Sequence, residues 1–433
     1  MFIGIKLKGE KIMKRAIKLS VAVIVAMTVG YSMIPPVRAS VDKTYDQLRL
    51  LVDVMGLIQE NYVEVRDNKT LVVGALNGMV KTLDPFSQFM EPDNYKEMKT
   101  ETEGQFGGLG IRISIKNDWL TVITPLLGTP AYRAGILPED KIIKIEGKST
   151  QGITIEDAVK LLRGTPGTKV TITIAREGAK EAVDHVIMRE IIKIETIRSK
   201  MLSQNIGYVQ LTEFNASSEK DLGKALAALQ KQGMDSLIFD LRNNPGGLLD
   251  VAVDVCKEFV GEGKLIVYTQ GRHPESRRDY YTQGKAPYGK LPMIILVNRG
   301  SASGSEIVAG AMQDLKRALI MGTTTFGKGS VQSVFPFQDG NALRLTTAKY
   351  YTPSGRSIHR DEKTGKGGII PDIIVEIPRE TEAKLYMQAE EVFAPGKEPE
   401  SQVKKQERVE DVAVLRAMEL LKARELLTGI KDN

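Results

Sequence analysis

The chain is poor in the residue types that build covalent or metal-held frameworks. It has a single cysteine, Cys256, which excludes a disulfide scaffold and any cysteine-based zinc site. Its three histidines, His185, His273 and His359, lie far apart, so no histidine-rich metal centre and no metal are expected. The body of the chain also lacks an excess of either charge. The net charge is +6, but residues 1–39 hold seven basic residues against one acid, Glu10, and the remainder is balanced. A neutral body offers no basic surface for phosphates, so no nucleic-acid partner is expected. With 42% hydrophobic and 26% charged residues, the chain is neither wholly disordered nor fibrous, and 433 residues suit about three domains.

The basic start precedes Leu19–Ile34, a run without a charge, followed by Pro35-Pro36-Val37-Arg38-Ala39-Ser40. A charged region, an apolar region and a small residue before the cut describe a signal peptide over residues 1–39, with cleavage after Ala39. The uncharged run falls short of the roughly 20 residues of a membrane span. An uncleaved anchor through residues 19–34 stays the alternative, and Met13 competes with Met1 as the start. In both cases the body lies outside the cytoplasm.

Residues 40–101 read as helical. Leu48, Leu51, Met55, Ile58 and Tyr62 form one stripe, and a second helix near Leu71–Leu83 stops before Asp84-Pro85. The stripe suits either packing on the next domain or a dimer contact. From 102 to 190 the period changes to short strands. There, Gly108-Leu109-Gly110-Ile111 and the run from Ala134 to Gly147 resemble the carboxylate-binding loop and central hairpin of a PDZ domain. That resemblance implies capture of a peptide C-terminus, with backbone N–H groups on the terminal carboxylate.

Residues 191–378 read as an α/β layer. Ser236–Leu241 and Met293–Val297 are buried parallel strands, each followed by a glycine-bearing loop and a helix. Ligands bind at the carboxyl ends of such strands. The tail, 379–433, turns polar, with a linker over Pro395–Gln406 and a charged amphipathic helix over Glu407–Leu427.

Three serines, Ser301, Ser303 and Ser305, sit at the start of the second of those helices. One of them caps it. A hydroxyl there, beside free backbone N–H groups and the positive helix end, is what a nucleophile needs. No histidine is well placed as its base, and neither Gly-x-Ser-x-Gly nor Gly-Asp-Ser-Gly-Gly occurs. Lysine is the alternative. Lys328, in Gly327-Lys328-Gly329-Ser330-Val331-Gln332, has an apolar setting that would lower its pKa. Gln332, four residues on, would share its face if the segment is extended, and could orient the amine. Gly322 to Lys328 also fits Gly-x-x-x-x-Gly-Lys of a phosphate loop. The next residue is Gly329 rather than Ser or Thr, and a strand rather than a helix follows.

Val297 to Ile307, Gln313-Asp314 and Gly327 to Gln332 together resemble the carboxyl-terminal processing peptidases, serine–lysine endopeptidases with an inserted PDZ domain. The resemblance implies an α/β multidomain chain: a crotonase-like peptidase core, an inserted PDZ-like β-rich domain, and helical N- and C-terminal segments. It implies Ser303 as nucleophile, Lys328 as base and Gln332 as its orienting partner. Gly304, with Gly246 or Gly247, would form the oxyanion hole, and Asp314 would be a supporting site. Gly304 departs from the family's usual alanine, but only its N–H is needed. No cofactor is implied. The implied substrates are proteins or peptides with exposed C-terminal tails, in a bacterial periplasm or at the outer face of the inner membrane. A homodimer through either terminal helix and an adaptor protein are left open. The alternative function is a catalytically inactive PDZ adaptor that binds protein C-termini.

Overall fold

The computed structural model describes residues 37–431 except 127, 177, 204, 362, 379, 383, 386, 387 and 389–408. The apolar run Leu19–Ile34 and the linker Pro395–Gln406 lie outside the described residues. No helix among those described is long and apolar enough to cross a membrane.

The chain divides into two units, Met1–Thr82 and Leu83–Asn433. In the first, helices span Val37–Asn61 and Asn68–Lys81. Asp67 caps the second: its Oδ1 accepts the Thr70 N–H at 2.9 Å and its Oδ2 the Thr70 hydroxyl at 2.6 Å. The apolar stripe is real but largely open, with Leu48, Leu51 and Tyr62 exposed.

The second unit begins with a turn and a short strand, Gln88–Met90, not anticipated from the sequence. The strand pairs antiparallel with Ala342–Arg344. A helix, Pro92–Thr102, leads to the ribbon Gln105–Gly108, which pairs with Glu190–Lys193. Between these two ribbon strands sits an antiparallel sheet built from Ile111–Lys116, Trp119–Pro125, Lys141–Ile145, Lys169–Ala175 and Val183–Met188. Alternation in Lys169–Ala175 sends Val170, Ile172 and Ile174 inward with Leu120, Ile142 and Ile145. The helix Ile155–Leu162, capped by Thr154, closes this small core with Ala158 and Leu162. Ile111–Lys116 is an edge strand.

The core sheet runs in the order Ile197–Met201, Ile206–Leu211, Ser236–Asp240, Met293–Val297, Leu319–Gly322, Ile373–Ile374, and is parallel after the first strand. Ser236–Asp240 and Met293–Val297 are buried throughout, as their unbroken apolar character requires. Helices Ser218–Lys231, Leu249–Lys257 and Gly304–Asp314 contribute to the core on one face. The tail helix, Val412–Lys431, sets Ala413, Ala417 and Leu421 against Ile238, Leu296 and Met321 on the other. A second sheet joins Gln88–Met90, Ser330–Pro336, Leu265–Gly271 and Arg278–Tyr281 around the long strand Ala342–Tyr351.

Candidate active site

Two neighbouring parallel strands end in loops that meet. After Asp240, the segment Arg242 to Gly247 turns back on itself, and after Val297 the segment Asn298 to Ser303 does the same. Asn243 N–H donates to Asn298 Oδ1 at 2.9 Å, and Asn298 Nδ2 returns a bond to Asn243 Oδ1 at 2.9 Å. Ala302 N–H donates to the Asn244 carbonyl at 3.0 Å. The loops form one body of interlocked asparagines.

The three serines divide cleanly. Ser301 Oγ donates to the Leu241 carbonyl at 2.8 Å, and Ser305 Oγ donates to the Asn244 carbonyl at 2.9 Å. Both hydroxyl protons are committed to holding the loops together. Ser303 is left, at the helix N-cap, with φ 52° and ψ −111°. A non-glycine residue at positive φ is strained, and strain of this kind persists where surroundings over-determine it. Ser303 is buried, and Tyr350 lies beside it. Burial pushes the Tyr350 hydroxyl up to about 12, with the Ser303 side chain acting in the opposite sense.

Gly246 reaches this helix start, and Gly247 packs on the Phe214 backbone. A β-carbon on Gly246 would fall 2.6 Å from Ser303 Cβ and 2.8 Å from the Gly304 nitrogen, so no other residue fits there. The N–H of Gly246 is spent on Asn244 Oδ1 at 2.9 Å. Among the described residues, the N–H groups of Gly247 and Gly304 have no acceptor.

Lys328 is half-buried. Burial, then the Arg344 charge, draws its amine below the ordinary lysine value, with Glu306 opposing. Its Nζ makes no hydrogen bond or ion pair among the described residues and stands 4.9 Å from the centre of the Phe86 ring. Gln332 does not reach it by a hydrogen bond. The register with the long strand slips opposite Val331 and Gln332, where Thr347 of the long strand is the extra residue, and Gln332 Nε2 donates to Ser330 Oγ at 3.0 Å and Thr346 Oγ1 at 3.2 Å. A strand follows Gly329, as the argument against a phosphate loop required.

Glu306 was missed from the sequence. It is fully buried, and its Oε2 accepts the N–H of Ser303 at 2.9 Å and that of Lys328 at 2.9 Å. Its Oε1 accepts the Thr325 hydroxyl at 2.5 Å and Gly327 N–H at 2.6 Å. Burial raises its carboxyl above the usual range even against these donors. The signal was present in Ser303-Gly304-Ser305-Glu306, a capping-box spacing before an apolar run.

Asp314 sits at the opposite end of the Ser303 helix, about 16 Å along its axis. It accepts the Ser354 N–H at 2.9 Å and pairs with Arg356. Burial would raise its carboxyl, but the Thr352 and Ser354 bonds and the Arg356 charge hold it below the usual range. The base of the Gly246 loop is tied to the tail: Arg242 Nη2 donates to Asp240 Oδ2 at 2.6 Å and to Asp411 Oδ2 at 2.7 Å. Asp411 also accepts the Ala413 and Val414 N–H groups at the tail-helix start, each at 3.2 Å.

In the small domain, the Leu109 carbonyl accepts Ala131 N–H at 3.0 Å and that of Gly110 accepts Leu126 N–H at 2.8 Å. The N–H groups of Leu109 and Gly110 have no acceptor among the described residues. They open beside Ile111 on the edge strand, with Gly108 at the end of the ribbon. Arg163, closing the Ile155–Leu162 helix, pairs with Glu97 at 3.3 Å and lies 4.5 Å from the Phe106 ring.

The fold defines an α/β multidomain serine-type peptidase that carries an inserted PDZ domain. Residues 205–375 match peptidase family S41, residues 121–176 a PDZ domain, and residues 29–94 the activating protease CtpB N-terminal domain. The carboxy-terminal-processing protease of Bartonella bacilliformis is 42% identical over 79% of this chain and 78% of its own length. The carboxy-terminal processing protease CtpA of Bacillus subtilis is 36% identical over 82% of this chain and 74% of its own. Among solved structures, the photosystem II D1 C-terminal processing protease aligns at 31% identity and TM-score 0.46, over 73% of this chain and 84% of that one. The chain belongs to the carboxy-terminal processing protease family.

Proposed function

We propose that the chain is an exported serine endopeptidase of the bacterial cell envelope. A PDZ domain over residues 102–190 captures C-terminal tails, and a core over 191–378 cuts peptide bonds through a Ser303–Lys328 acyl-enzyme. The observation that carries this reading is the buried Glu306 carboxylate, which binds the backbone of Ser303 and of Lys328 through one oxygen. Two loops distant in sequence are thereby locked side by side.

In the proposed reaction the neutral Lys328 amine takes the Ser303 hydroxyl proton as Oγ attacks the scissile carbonyl carbon. The oxyanion is held by the N–H groups of Gly304 and Gly247, while Gly246 keeps the space clear. The tetrahedral intermediate expels the amine, which collects the proton from Lys328. Lys328 then activates water against the acyl-enzyme. Gln332 shapes the strand beside the base, and Asp314 anchors the segment carrying Arg356. The exposed Leu48, Leu51 and Tyr62 of the N-terminal stripe offer an apolar face to a second copy of the chain.

The decisive variant is Lys328→Arg. A guanidinium keeps the charge but cannot act as base. Peptide cleavage should vanish while the melting temperature holds. Retained turnover would mean that the lysine is a charge anchor.

A further inference from the structure

We propose that Phe86, outside the peptidase core in sequence, is a positioning residue for the base, its ring serving as the seat on which the Lys328 ammonium rests between turnovers. This rests on the reading of Lys328 as general base. The ring is the one close partner the structure gives that amine among the described residues, at 4.9 Å from Nζ to the ring centre. Among the described residues, no carboxylate or carbonyl competes for it by hydrogen bond.

The ring does not sit there loosely. Asp84 Oδ1 accepts the N–H of Phe86 at 2.7 Å and of Ser87 at 2.8 Å, and Asp84 Oδ2 accepts the Ser87 hydroxyl at 2.8 Å. This turn is then fastened to the long strand. Ser87 Oγ accepts Thr346 N–H at 3.1 Å, and Arg344 Nε donates to the Phe86 carbonyl at 3.2 Å. Strand pairing of Gln88–Met90 with Ala342–Arg344 continues the attachment. Three side chains, Asp84, Ser87 and Arg344, therefore aim one aromatic face.

Such a face has a property no carboxylate could supply here. Its quadrupole attracts a cation and has little hold on a neutral amine. Lys328 is seated while protonated and released as it loses the proton, when its lone pair is needed at Ser303. A carboxylate seat would hold the charged form far more tightly and keep the base unavailable. Arg344 from the long strand and Glu306 from the nucleophile helix act on the same amine in opposite directions. The segment carrying His359 and Arg360 lies along Gly329 and Gly327, so both belong to the base's surroundings.

The test compares wild type with Phe86→Leu, Phe86→Tyr and Phe86→Trp. Two quantities are followed against pH: kcat/KM on a peptide with a free C-terminus, and the rate at which acetic anhydride labels Lys328, read by mass spectrometry. Leucine keeps the bulk and removes the quadrupole. Both midpoints should fall by about half a pH unit in Phe86→Leu, stay near wild type in Phe86→Tyr, and rise in Phe86→Trp. Coincident midpoints across the aromatic and leucine variants would overturn the seat. If Phe86→Leu does not fold, the tryptophan and tyrosine proteins decide, since equal midpoints there overturn it as well. The labelling midpoint needs no turnover. A labelling shift in a protein whose Lys328→Ala variant still cuts would therefore sink the base assignment while leaving the seat standing.

Discussion

Two glycine loops of this chain offer the same chemistry, a pair of backbone N–H groups unclaimed among the described residues, in opposite settings. In the small domain, Leu109 and Gly110 present theirs at an open strand edge, and a few backbone bonds to neighbouring turns hold the loop. In the core, Gly247 and Gly304 present theirs inside two loops tied by Asn243, Asn244, Asn298 and Glu306. Under the proposed function, the difference matches what each would meet. A peptide carboxylate arrives charged and solvated, and a loop that adapts can bind it. An oxyanion exists only in passing, and donors stabilise it most when they need no reorganisation as it forms.

The strongest way to break this contrast is Gly246→Ala. The added methyl meets Ser303 Cβ at 2.6 Å, and the residue's φ of 101° already excludes alanine. Cleavage should fall by about a thousandfold, while a fluorescent peptide with a free C-terminus binds the PDZ domain unchanged. Weakened tail binding in this variant would mean that the two loops are not separate devices.

A smaller effect is expected at the hub. In Glu306→Gln, one acceptor oxygen becomes a donor facing either the Ser303 and Lys328 N–H groups or the Thr325 hydroxyl and the Gly327 N–H. Each unsatisfied buried donor costs on the order of 1–3 kcal/mol. Steady-state kinetics should show kcat down about a hundredfold with KM unchanged, beside a lower melting temperature. A kcat equal to wild type would reduce Glu306 to a helix cap.

The mildest change lies in the substrate. Amidating a peptide's C-terminus removes the charge that the Leu109 and Gly110 N–H groups favour. KM should rise by about tenfold with kcat preserved, roughly the loss of one charge-assisted contact. Equal KM values would remove tail capture from the proposal.

The sequence is most legible where chemistry and period coincide. Apolar runs that end in glycine loops mark Ser236–Asp240 and Met293–Val297, because a strand buried on both faces has no polar positions to confuse the reading. The serine cluster and Lys328 were visible from residue type alone. What stayed hidden depends on partners far away in the chain. Gln88–Met90 has three residues and is a strand only because Ala342–Arg344 lies beside it. The hairpin of Leu265–Gly271 and Arg278–Tyr281 likewise owes its place to the long strand. Gln332 shows the same limit: its amide is taken up by Ser330 and by Thr346 of the long strand, a partner that alternation along its own strand does not reveal.

The Arg242–Asp411 pair has a bearing on how the protein comes into being. Its members are 169 residues apart. A ribosome delivers Arg242 long before the carboxylate that completes its pairing, and a guanidinium enclosed with a single acidic neighbour is poorly compensated. The sheet of the PDZ domain needs no such wait, since each ladder within it joins segments a few dozen residues apart at most. A nascent chain therefore completes the PDZ sheet well before the loop beside Ser303 can settle. A polypeptide stalled upstream of Asp411 would therefore hold the PDZ sheet complete while the base of the Gly246 loop still lacks its second carboxylate.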